Sequence, residues 1–514
     1  MNGAESLVKT MLANGVDTVF ANPGTSEMHF VAALDSHPEM HCVLCLFEGG
    51  TSGGADIYFR MKQDVAGTLL HLAPGFGNAY ANMHNARKAG SGIVNVVGDH
   101  ATHHLAYESP LKGDIQGISQ AVSHWTRSSP DAHSVAQDGA EAIRAARSRN
   151  GQIATLVLPA DTAWTPATQV ATCRAPTRLH QPREAEIIAA AQRLTQPGAA
   201  LMIGGRAMFG PLRQLAGQIA THTGAQLLID TLIPRAARGA GAAVATQLPY
   251  PVEPKIDTLK NTRSITLVGT DRPVTFFAYP GKQSLPEPAD CTIHELCRPE
   301  MDIAATLHAL ADATGATNTK PAVYPLDIPA LPNGALTLET AGAALAHLMP
   351  EGTILCNESI TSGAQFLPPL TLTRPHEWIG GTGGAIGWSL PGAVGAAVAC
   401  PGRKVVVLTG DGSAMYTAQS LWTMAREQLD ITVIVFANKG YQILRDELIN
   451  VGVQSYGQNA RAMFDIENPT LDFVSLAKGH GVPGTRADDL DTFISALRAG
   501  FESSGPSVIE LTCP

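Results

Sequence analysis

The segment KVVVLTGDGSAMYTAQSLWTMAREQLDITVIVFANKG, residues 404–440, contains two short apolar runs that end in polar turns. Residues 404–409 and 431–437 are rich in β-branched side chains and have the length of buried strands, and the segment between them predicts a helix. Two strands joined by a helix are typical of a parallel sheet. Because the carboxyl ends of such strands lie at one edge of the sheet, where open α/β sheets bind ligands, we expect the two turns to share a ligand.

The first turn is Gly410-Asp411-Gly412, and Asn438 closes the second run. The two glycines let the backbone approach a phosphate closely, and a helix capped by Ser413 would favour an anion at its N-terminus. The alternative is that the triplet is a surface turn and Asn438 a strand-end cap. The spacing of 27 residues between Asp411 and Asn438, with a helix and a strand between them, favours the shared site.

A carboxylate beside a diphosphate is repulsive unless a divalent cation lies between them. Such a cation prefers hard oxygen ligands. Asp411, the amide oxygen of Asn438 and the carbonyl oxygen of Gly440 are the expected ligands.

The composition narrows the class of protein. The chain has 514 residues, of which 45% are hydrophobic, 5% are aromatic and 50 are glycines, which favours several close-packed α/β domains. The net charge is −10 without a basic tract, so we expect no nucleic-acid partner. The sequence has no apolar run of about 18 residues, no signal-peptide core and only scattered cysteines, so we expect a cytoplasmic protein without a membrane span.

Two proline-rich segments without helical or strand periodicity, residues 173–184 and 317–334, are the predicted linkers. They separate an N-terminal domain (residues 1–172), a central domain (residues 184–316) and a C-terminal domain (residues 335–514).

The N-terminal and C-terminal domains are similar in pattern. Residues 4–22 and 339–357 each contain an amphipathic helix, a glycine, a short strand and a closing asparagine. A chance resemblance is the alternative, since helix, turn and strand form the common unit of α/β proteins. We therefore predict an α/β fold of three domains, in which two doubly wound parallel-sheet domains flank a central α/β domain.

Residues 410–440 resemble the GDG(x)nN cofactor motif of the thiamine diphosphate (ThDP) enzymes. The resemblance implies that Asp411, Asn438 and the Gly440 carbonyl hold Mg²⁺ on the diphosphate of ThDP. Family members usually end this motif with two asparagines, whereas Ala437 stands first here. The residues expected beside the diphosphate are Gly410, Gly412, Ser413 and Asn438.

The N-terminal domain contains the glutamate that this family uses. Glu48 follows an apolar strand and precedes a glycine-rich helix start in VLCLFEGGTSGGADIYFR, residues 43–60. The resemblance implies that this is the pyrimidine-binding (PYR) domain and that Glu48 hydrogen-bonds the pyrimidine ring of ThDP. A carboxylate is costly to bury without a partner, which favours a chemical role over the alternative, a helix cap.

Two further loops are most similar to the benzoylformate decarboxylase and acetolactate synthase-like branch of the family. NPGTSE resembles a loop near the reaction centre and places Thr25 there, and HLAPGFGN places His71 where benzoylformate decarboxylase has a histidine. His71 is a candidate proton donor or acceptor, with a structural histidine as the alternative. A third loop, whose role stays open between an active site, a metal site and a solvated loop, contains His100, His103 and His104.

The C-terminal domain resembles the diphosphate-binding (PP) domain. NESITS contains Thr361 as a hydroxyl donor near the diphosphate, with Ile360 in place of a second hydroxyl. GGTGGAIG resembles the loop in which Gly384 admits the cofactor and Ile386 supports its bent shape. The central domain has no evident dinucleotide fingerprint, so we do not expect FAD.

The resemblance implies a ThDP- and Mg²⁺-dependent 2-oxo acid decarboxylase, in which the ThDP ylid attacks a small-molecule 2-oxo acid and CO₂ leaves. His71 favours this reaction over the first alternative, an acetolactate synthase-like carboligase that joins two 2-oxo acid or aldehyde units. The second alternative is a non-catalytic ThDP-binding relative, because Ala437 and Ile360 depart from the pattern. Since the family builds each site from two chains, we expect a homodimer at minimum and a homotetramer in solution.

Overall fold

A computed structural model of the protein describes residues 1–512, which form three α/β regions around three sheets. The helices of the N-terminal region are α1 (Gly3–Ala13), α2 (Met28–Asp35), α3 (Glu48–Lys62), α4 (Leu72–Ala89), α5 (Ile115–Gln120), α6 (Val135–Arg147) and α7 (Ala160–Trp164). Its strands are β1 (Thr18–Ala21), β2 (His41–Leu44), β3 (Ala66–Leu70), β4 (Ile93–Asp99), β5 (Trp125–Ser128) and β6 (Ile153–Pro159).

The central region is smaller. Its helices are α8 (Glu184–Leu194), α9 (Gly210–Thr223), α10 (Val252–Leu259) and α11 (Ile303–Thr314). Its strands are β7 (Ala199–Ile203), β8 (Gln226–Ile229), β9 (Arg235–Arg238), β10 (Thr246–Gln247), β11 (Ser264–Val268) and β12 (Thr292–Cys297).

The C-terminal region contains the turns on which the sequence analysis depends. Its helices are α12 (Leu338–Leu348), α13 (Gly363–Phe366), α14 (Ser389–Ala399), α15 (Asp411–Ala414), α16 (Ser420–Arg426), α17 (Gln442–Asn450), α18 (Gln458–Phe464), α19 (Phe473–Gly479) and α20 (Leu490–Glu502). Its strands are β13 (Ile354–Glu358), β14 (His376–Gly380), β15 (Val405–Gly410), β16 (Ile431–Phe436), β17 (Gly484–Ala487) and β18 (Ser507–Leu511). None of the helices within residues 1–512 has the length and hydropathy needed to cross a bilayer.

The N-terminal and C-terminal sheets have the same strand order. The first runs β2-β1-β3-β4-β6-β5, and the six strands of the third run β14-β13-β15-β16-β18-β17, with every neighbouring pair parallel. Both sheets therefore place the second strand outside the first, and the fifth outside the sixth. The predicted α/β class, with two parallel-sheet domains around a central α/β domain, is confirmed.

One strand of the central region belongs to the C-terminal sheet. β9 pairs antiparallel with β14, so that Arg235 lies opposite Ile379. The Arg235 guanidinium also donates to both carboxylate oxygens of Glu377, at 3.0 and 3.1 Å. The central and C-terminal regions thus share a sheet, while the domain boundaries given above stay predictions.

The N-terminal and C-terminal regions meet where α3 packs against α14. Both helices contain glycines at the contact, and a Cβ at Gly395 would lie 2.0 Å from the carbonyl oxygen of Gly54. A side chain cannot occupy that space, so the two backbones approach as closely as they do because Gly395 lacks one, whereas a Cβ at Gly54 would meet the ring of Phe20. This contact fixes α3, which begins at Glu48, relative to the C-terminal sheet.

The predicted single helix after the GDG turn is wrong. α15 ends at Ala414 and α16 begins only at Ser420, and the Ser413 side chain makes no capping hydrogen bond. The chain leaves the helical path because Thr417 donates its hydroxyl hydrogen to the Gly387 carbonyl at 2.7 Å. The intervening turn therefore packs on the loop after β14.

We expect Gly395→Ala to lower the free energy of unfolding by about 1–3 kcal/mol, because the new methyl group would overlap the Gly54 carbonyl. Urea denaturation measures this loss. Gly479→Ala is the matched control: it ends a helix with no heavy atom within 4 Å of the added Cβ, so its stability should rise by up to about 1 kcal/mol. Equal stability of Gly395→Ala and the wild-type protein would contradict the packing described here.

Candidate active site

The two polar turns lie side by side at one edge of the C-terminal sheet. β15 and β16 are parallel neighbours, with Gly410 opposite Phe436. Asp411 accepts hydrogen bonds from the backbone N–H of Gly412 at 2.8 Å and from that of Lys439 at 2.6 Å. Asp411 therefore contacts the turn that contains Asn438 and Gly440.

The Asp411 carboxylate is buried without a cationic partner. Burial raises its pKa above the ordinary value, and no charged side chain of residues 1–512 contributes to this shift. The Asn438 side-chain oxygen accepts a hydrogen bond from Gly440 N–H at 3.2 Å, within the same turn. A carboxylate, an amide oxygen and the Gly440 carbonyl form a donor set that suits a hard divalent cation.

The glycines of the GDG turn differ in their surroundings. A Cβ at Gly412 would lie 2.3 Å from the ring of Tyr441, so that position is closed. A Cβ at Gly410 would meet only the Ser413 hydroxyl, at 3.9 Å. The space on this side of Gly410, next to the buried Asp411, is therefore open.

Within residues 1–512, three of the eight non-glycine residues with a positive φ lie beside predicted site residues. Leu72, Ile360 and Lys439 have φ values of 49°, 45° and 59°. Such left-handed conformations are costly for side chains of this kind and tend to persist at functional sites. Each of the three is adjacent to a predicted site residue, namely His71, Thr361 or Asn438.

The loop between β14 and α14 contains Gly384, which is exposed, and Ile386, which is half-buried. Glu358, at the end of β13, holds the C-terminal side of this loop. Its carboxylate accepts hydrogen bonds from Gly387 N–H at 2.7 Å and from the backbone N–H and hydroxyl of Ser389, at 3.2 and 2.5 Å. Sequence reasoning missed Glu358, although it stands within the quoted NESITS segment.

Glu48 is the first residue of α3 and is 6% exposed. Asn78 donates a side-chain hydrogen bond to its Oε2 at 2.9 Å. Its other oxygen, Oε1, has no hydrogen-bond partner within residues 1–512, and a Cβ at Gly75 would lie 2.9 Å from it. Glu48 is therefore a buried carboxylate that has one oxygen free to bind.

His71 is held by Glu27, which sequence reasoning also missed. His71 Nδ1 lies 2.9 and 3.1 Å from the two carboxylate oxygens of Glu27, and Glu27 also accepts from Gly24 N–H at 2.8 Å and from the Ser26 hydroxyl. Because a carboxylate only accepts, Nδ1 carries the proton and Nε2 stays available. The His71 side chain is 20% exposed. The available signal was an acidic residue two positions after Thr25.

Thr25 begins a short 3₁₀ helix in the same loop as Glu27 and is exposed. Thr361 is half-buried beside Ile360. Within residues 1–512, neither threonine hydroxyl takes part in a hydrogen bond. The structure thus brings Thr25 and His71 into one group through Glu27, and Asp411, Asn438 and Gly440 into another.

The three histidines after β4 do not form a metal site. The rings of His100 and His104 are 5.5 Å apart, and His103 lies 3.9 Å from Asp161 at the surface. Across residues 1–512 no group of three or more His, Cys, Asp or Glu side chains is arranged to hold a metal ion. The remaining alternatives are an active-site loop and a solvated loop.

A cavity of about 530 Å³ lies between the N-terminal and central regions, away from these residues. None of the predicted site residues lines it. Its basic lining residues are Arg60, Arg87, Lys88, Arg149, Arg206 and Arg235.

Burial raises the pKa of Glu358 from 4.5 to about 7, against the opposing effect of its hydrogen bonds from Ser389 and Gly387. Since the folded protein binds this proton more tightly than the unfolded chain, stability due to this group is present below pH 4.5 and is lost as the pH rises to about 7. We expect a loss of about 3 kcal/mol over this window, absent in Glu358→Gln, in urea denaturation at several pH values. The same pH dependence in both proteins would contradict this assignment.

Comparison with known proteins shows full-length relatives. A protein of Mycobacterium tuberculosis strain H37Rv, provisionally named acetolactate synthase large subunit IlvX, is 45% identical over 516 residues, which cover 100% of this chain and 99% of that protein. Benzoylformate decarboxylase of Pseudomonas aeruginosa is 26% identical over 533 residues, with 97% and 96% covered. The structure of a ThDP-dependent 4-hydroxybenzoylformate decarboxylase from Rhodococcus jostii RHA1 has the same fold, with a TM-score of 0.85, 22% identity and 100% and 99% coverage.

Family models match both regions that contain the site residues. Residues 1–124 match the N-terminal TPP binding domain of thiamine pyrophosphate enzymes, and residues 360–511 match the C-terminal TPP binding domain. Thiamine pyrophosphate is another name for ThDP. The full-length relative, the two domain matches and the shared fold confirm the resemblance read from the sequence, and the chain belongs to the ThDP-dependent enzymes.

Proposed function

We propose that this protein is a ThDP- and Mg²⁺-dependent 2-oxo acid decarboxylase. The observation that carries the choice of reaction is the His71–Glu27 pair, in which Glu27 binds Nδ1 and leaves Nε2 to exchange a proton with the substrate. Membership of the family and the geometry of the Asp411 turn support the choice of cofactor.

The C-terminal region would hold the metal and the diphosphate. Asp411, Asn438 and the Gly440 carbonyl would bind Mg²⁺, because the buried Asp411 carboxylate has no other cation within residues 1–512. The residues that would lie along ThDP are Thr361, Gly384, Ile386, Gly410, Gly412 and Ser413. When bound, ThDP supplies a nucleophilic carbon and an electron sink for the loss of CO₂.

Glu48 would hold a proton for the pyrimidine ring. Its Oε2 is fixed by Asn78, and its Oε1 is free for a hydrogen bond to a ring nitrogen. Gly75 keeps Oε1 clear of a side chain, because a Cβ at this position would lie 2.9 Å from it. In the family arrangement Glu48 serves the site of a second chain, so we expect a homodimer at minimum and a homotetramer in solution.

His71 would move a proton at its Nε2 atom. The Glu27 carboxylate fixes the tautomer and the ring orientation, and Gly24 and Ser26 fix Glu27 in turn. The Thr25 hydroxyl lies in the same loop, where it would help to orient the carboxylate of a 2-oxo acid substrate.

The name of the Mycobacterium tuberculosis relative favours a second candidate, an acetolactate synthase-like carboligase. The two reactions differ in whether a proton or a second carbonyl compound reaches the reacting carbon. A non-catalytic relative is the third candidate, and the retained Glu48 argues against it. We expect no bound FAD, because the sequence of the central domain has no evident dinucleotide fingerprint.

We expect the purified protein, supplied with ThDP and Mg²⁺ and offered a panel of 2-oxo acids that includes pyruvate and benzoylformate, to release CO₂ and an aldehyde. Product identification by mass spectrometry is the measurement. Acetolactate or acetoin-type products would favour the carboligase instead. Cofactor binding without CO₂ release from any acid, and turnover unchanged in Glu48→Gln, would each contradict the proposal.

We expect His71→Ala to lower kcat by about 10²–10⁴-fold without a change in ThDP affinity, because Nε2 acts on the substrate and lies outside the expected cofactor residues. Glu27→Gln should lower kcat in the same direction, since the carboxylate that holds Nδ1 is lost. His37→Ala is the control and should keep wild-type kcat, because His37 lies just beyond the end of α2 and its ring hydrogen-bonds only the Ala33 carbonyl of that helix. A fully active His71→Ala variant would remove His71 from the mechanism.

A further inference from the structure

The irregular loop between β14 and α14, residues 381–388, has no secondary structure of its own to hold its backbone. Glu358 and Thr417 bind its C-terminal end at Gly387, and a side chain of the N-terminal region of the same chain binds the backbone groups on either side of Gly384. Asn85, on α4, is 1% exposed, and its amide points into this loop. No sequence motif identified Asn85.

The Asn85 amide forms a bridge across Gly384. Its Oδ1 accepts hydrogen bonds from the backbone N–H groups of Gly383 and Ala385, both at 3.2 Å, and its Nδ2 donates to the Ala385 carbonyl at 2.9 Å. Nδ2 also donates to Oδ1 of Asn82 at 3.2 Å. Both polar atoms of this buried side chain are therefore hydrogen-bonded, and three of the four bonds are to the loop.

Gly383 and Thr382, which precede Gly384 in the loop, also lie close to Asn85. A Cβ at Gly383 would lie 2.6 Å from Asn85 Oδ1, so only glycine permits this approach. Thr382 donates its hydroxyl hydrogen to the Asn85 carbonyl at 2.7 Å. Arg60, from α3, donates to the Gly380 carbonyl at 2.9 Å and to the Thr382 hydroxyl at 3.2 Å.

With its neighbours on both sides bound to one amide, Gly384 is the residue that projects from the loop. It is exposed, and its φ of 84° is accessible mainly to glycine. Ile386 directly follows Ala385. The Asn85 amide therefore also fixes the backbone from which the Ile386 side chain extends. Both Gly384 and Ile386 are expected cofactor residues.

We propose that Asn85 is a positioning residue for ThDP, which presets Gly384 and Ile386 before the cofactor arrives. This inference rests on the cofactor assignment of the proposed function. It gives the N-terminal region of each chain a role toward the cofactor loop of its own chain, distinct from the role of Glu48. Preorganisation of this kind strengthens binding, because the loop is already ordered and no binding energy is spent on ordering it.

The test uses Asn85→Ala and the isosteric Asn85→Asp, which keeps an acceptor but removes the donor to the Ala385 carbonyl. The matched control is Asn95→Ala, because Asn95 is an equally buried amide on β4 that hydrogen-bonds Thr68, Thr155 and Met83 and forms no hydrogen bond to the loop within residues 1–512. Isothermal titration calorimetry with ThDP and Mg²⁺ gives the Kd, and amide hydrogen exchange of residues 382–385 in the cofactor-free protein reports the order of the loop.

We expect the Kd for ThDP to rise about tenfold in Asn85→Ala, because the lost bonds leave loop groups unpaired, and exchange at residues 382–385 to quicken before any cofactor is added. Asn85→Asp should shift both in the same direction, and it keeps the test valid if the alanine variant does not fold. Asn95→Ala should lower the melting temperature but leave the Kd within about twofold of wild type.

Two results would overturn the inference. One is a wild-type Kd in both Asn85 variants, and the other is an equal rise in Asn95→Ala at a matched loss of melting temperature, which would make the effect one of general stability. Failure of the wild-type protein to bind ThDP would instead refute the proposed function, and this inference with it.

Discussion

The parallel pairing of β15 with β16 places Asp411 against the turn that follows the neighbouring strand. Both strands are internal to the C-terminal sheet, with β13 and β18 on their outer sides. A slip of one residue would turn every buried side chain of these strands to the opposite face, so the register is strongly specified. The geometry of the two turns proposed to bind Mg²⁺ is therefore a property of the sheet and does not depend on a flexible loop.

Buried carboxylates mark the candidate site, and their partners separate supporting roles from binding roles. Glu27 and Glu358 are surrounded by donors from their own chain, and each holds a loop or a side chain in place. Glu48 has one oxygen unbound, and Asp411 lacks a cation within residues 1–512. An uncompensated buried carboxylate is costly. A bound ligand would offset the cost of burying Glu48 and Asp411.

The N-terminal region contributes to the site through more than its own glutamate. The Gly54–Gly395 contact joins α3 to α14, and Arg60 and Asn85 bind the loop that precedes α14. The loop of residues 381–388, which we propose binds the cofactor, is thus attached to the N-terminal region at several points within one chain. A change in how the N-terminal region packs on the C-terminal region would therefore alter the position of Gly384, although Gly384 lies in the C-terminal region.

Local patterns in the sequence determined the α/β class, the two related outer regions and the positions of the GDG turn, Glu48 and His71, because strand ends and their turns are encoded by neighbouring residues. The prediction of one helix starting at Ser413 failed because a distant hydroxyl contact, from Thr417 to the Gly387 carbonyl, diverts the chain. Only the tertiary structure decided that Glu27 holds His71, that Asn78 binds Glu48 and that Asn85 spans Gly384. The last of these joins residues 300 apart in the chain, and no local pattern encodes such a contact, because it depends on how separately folded helices and loops pack against one another.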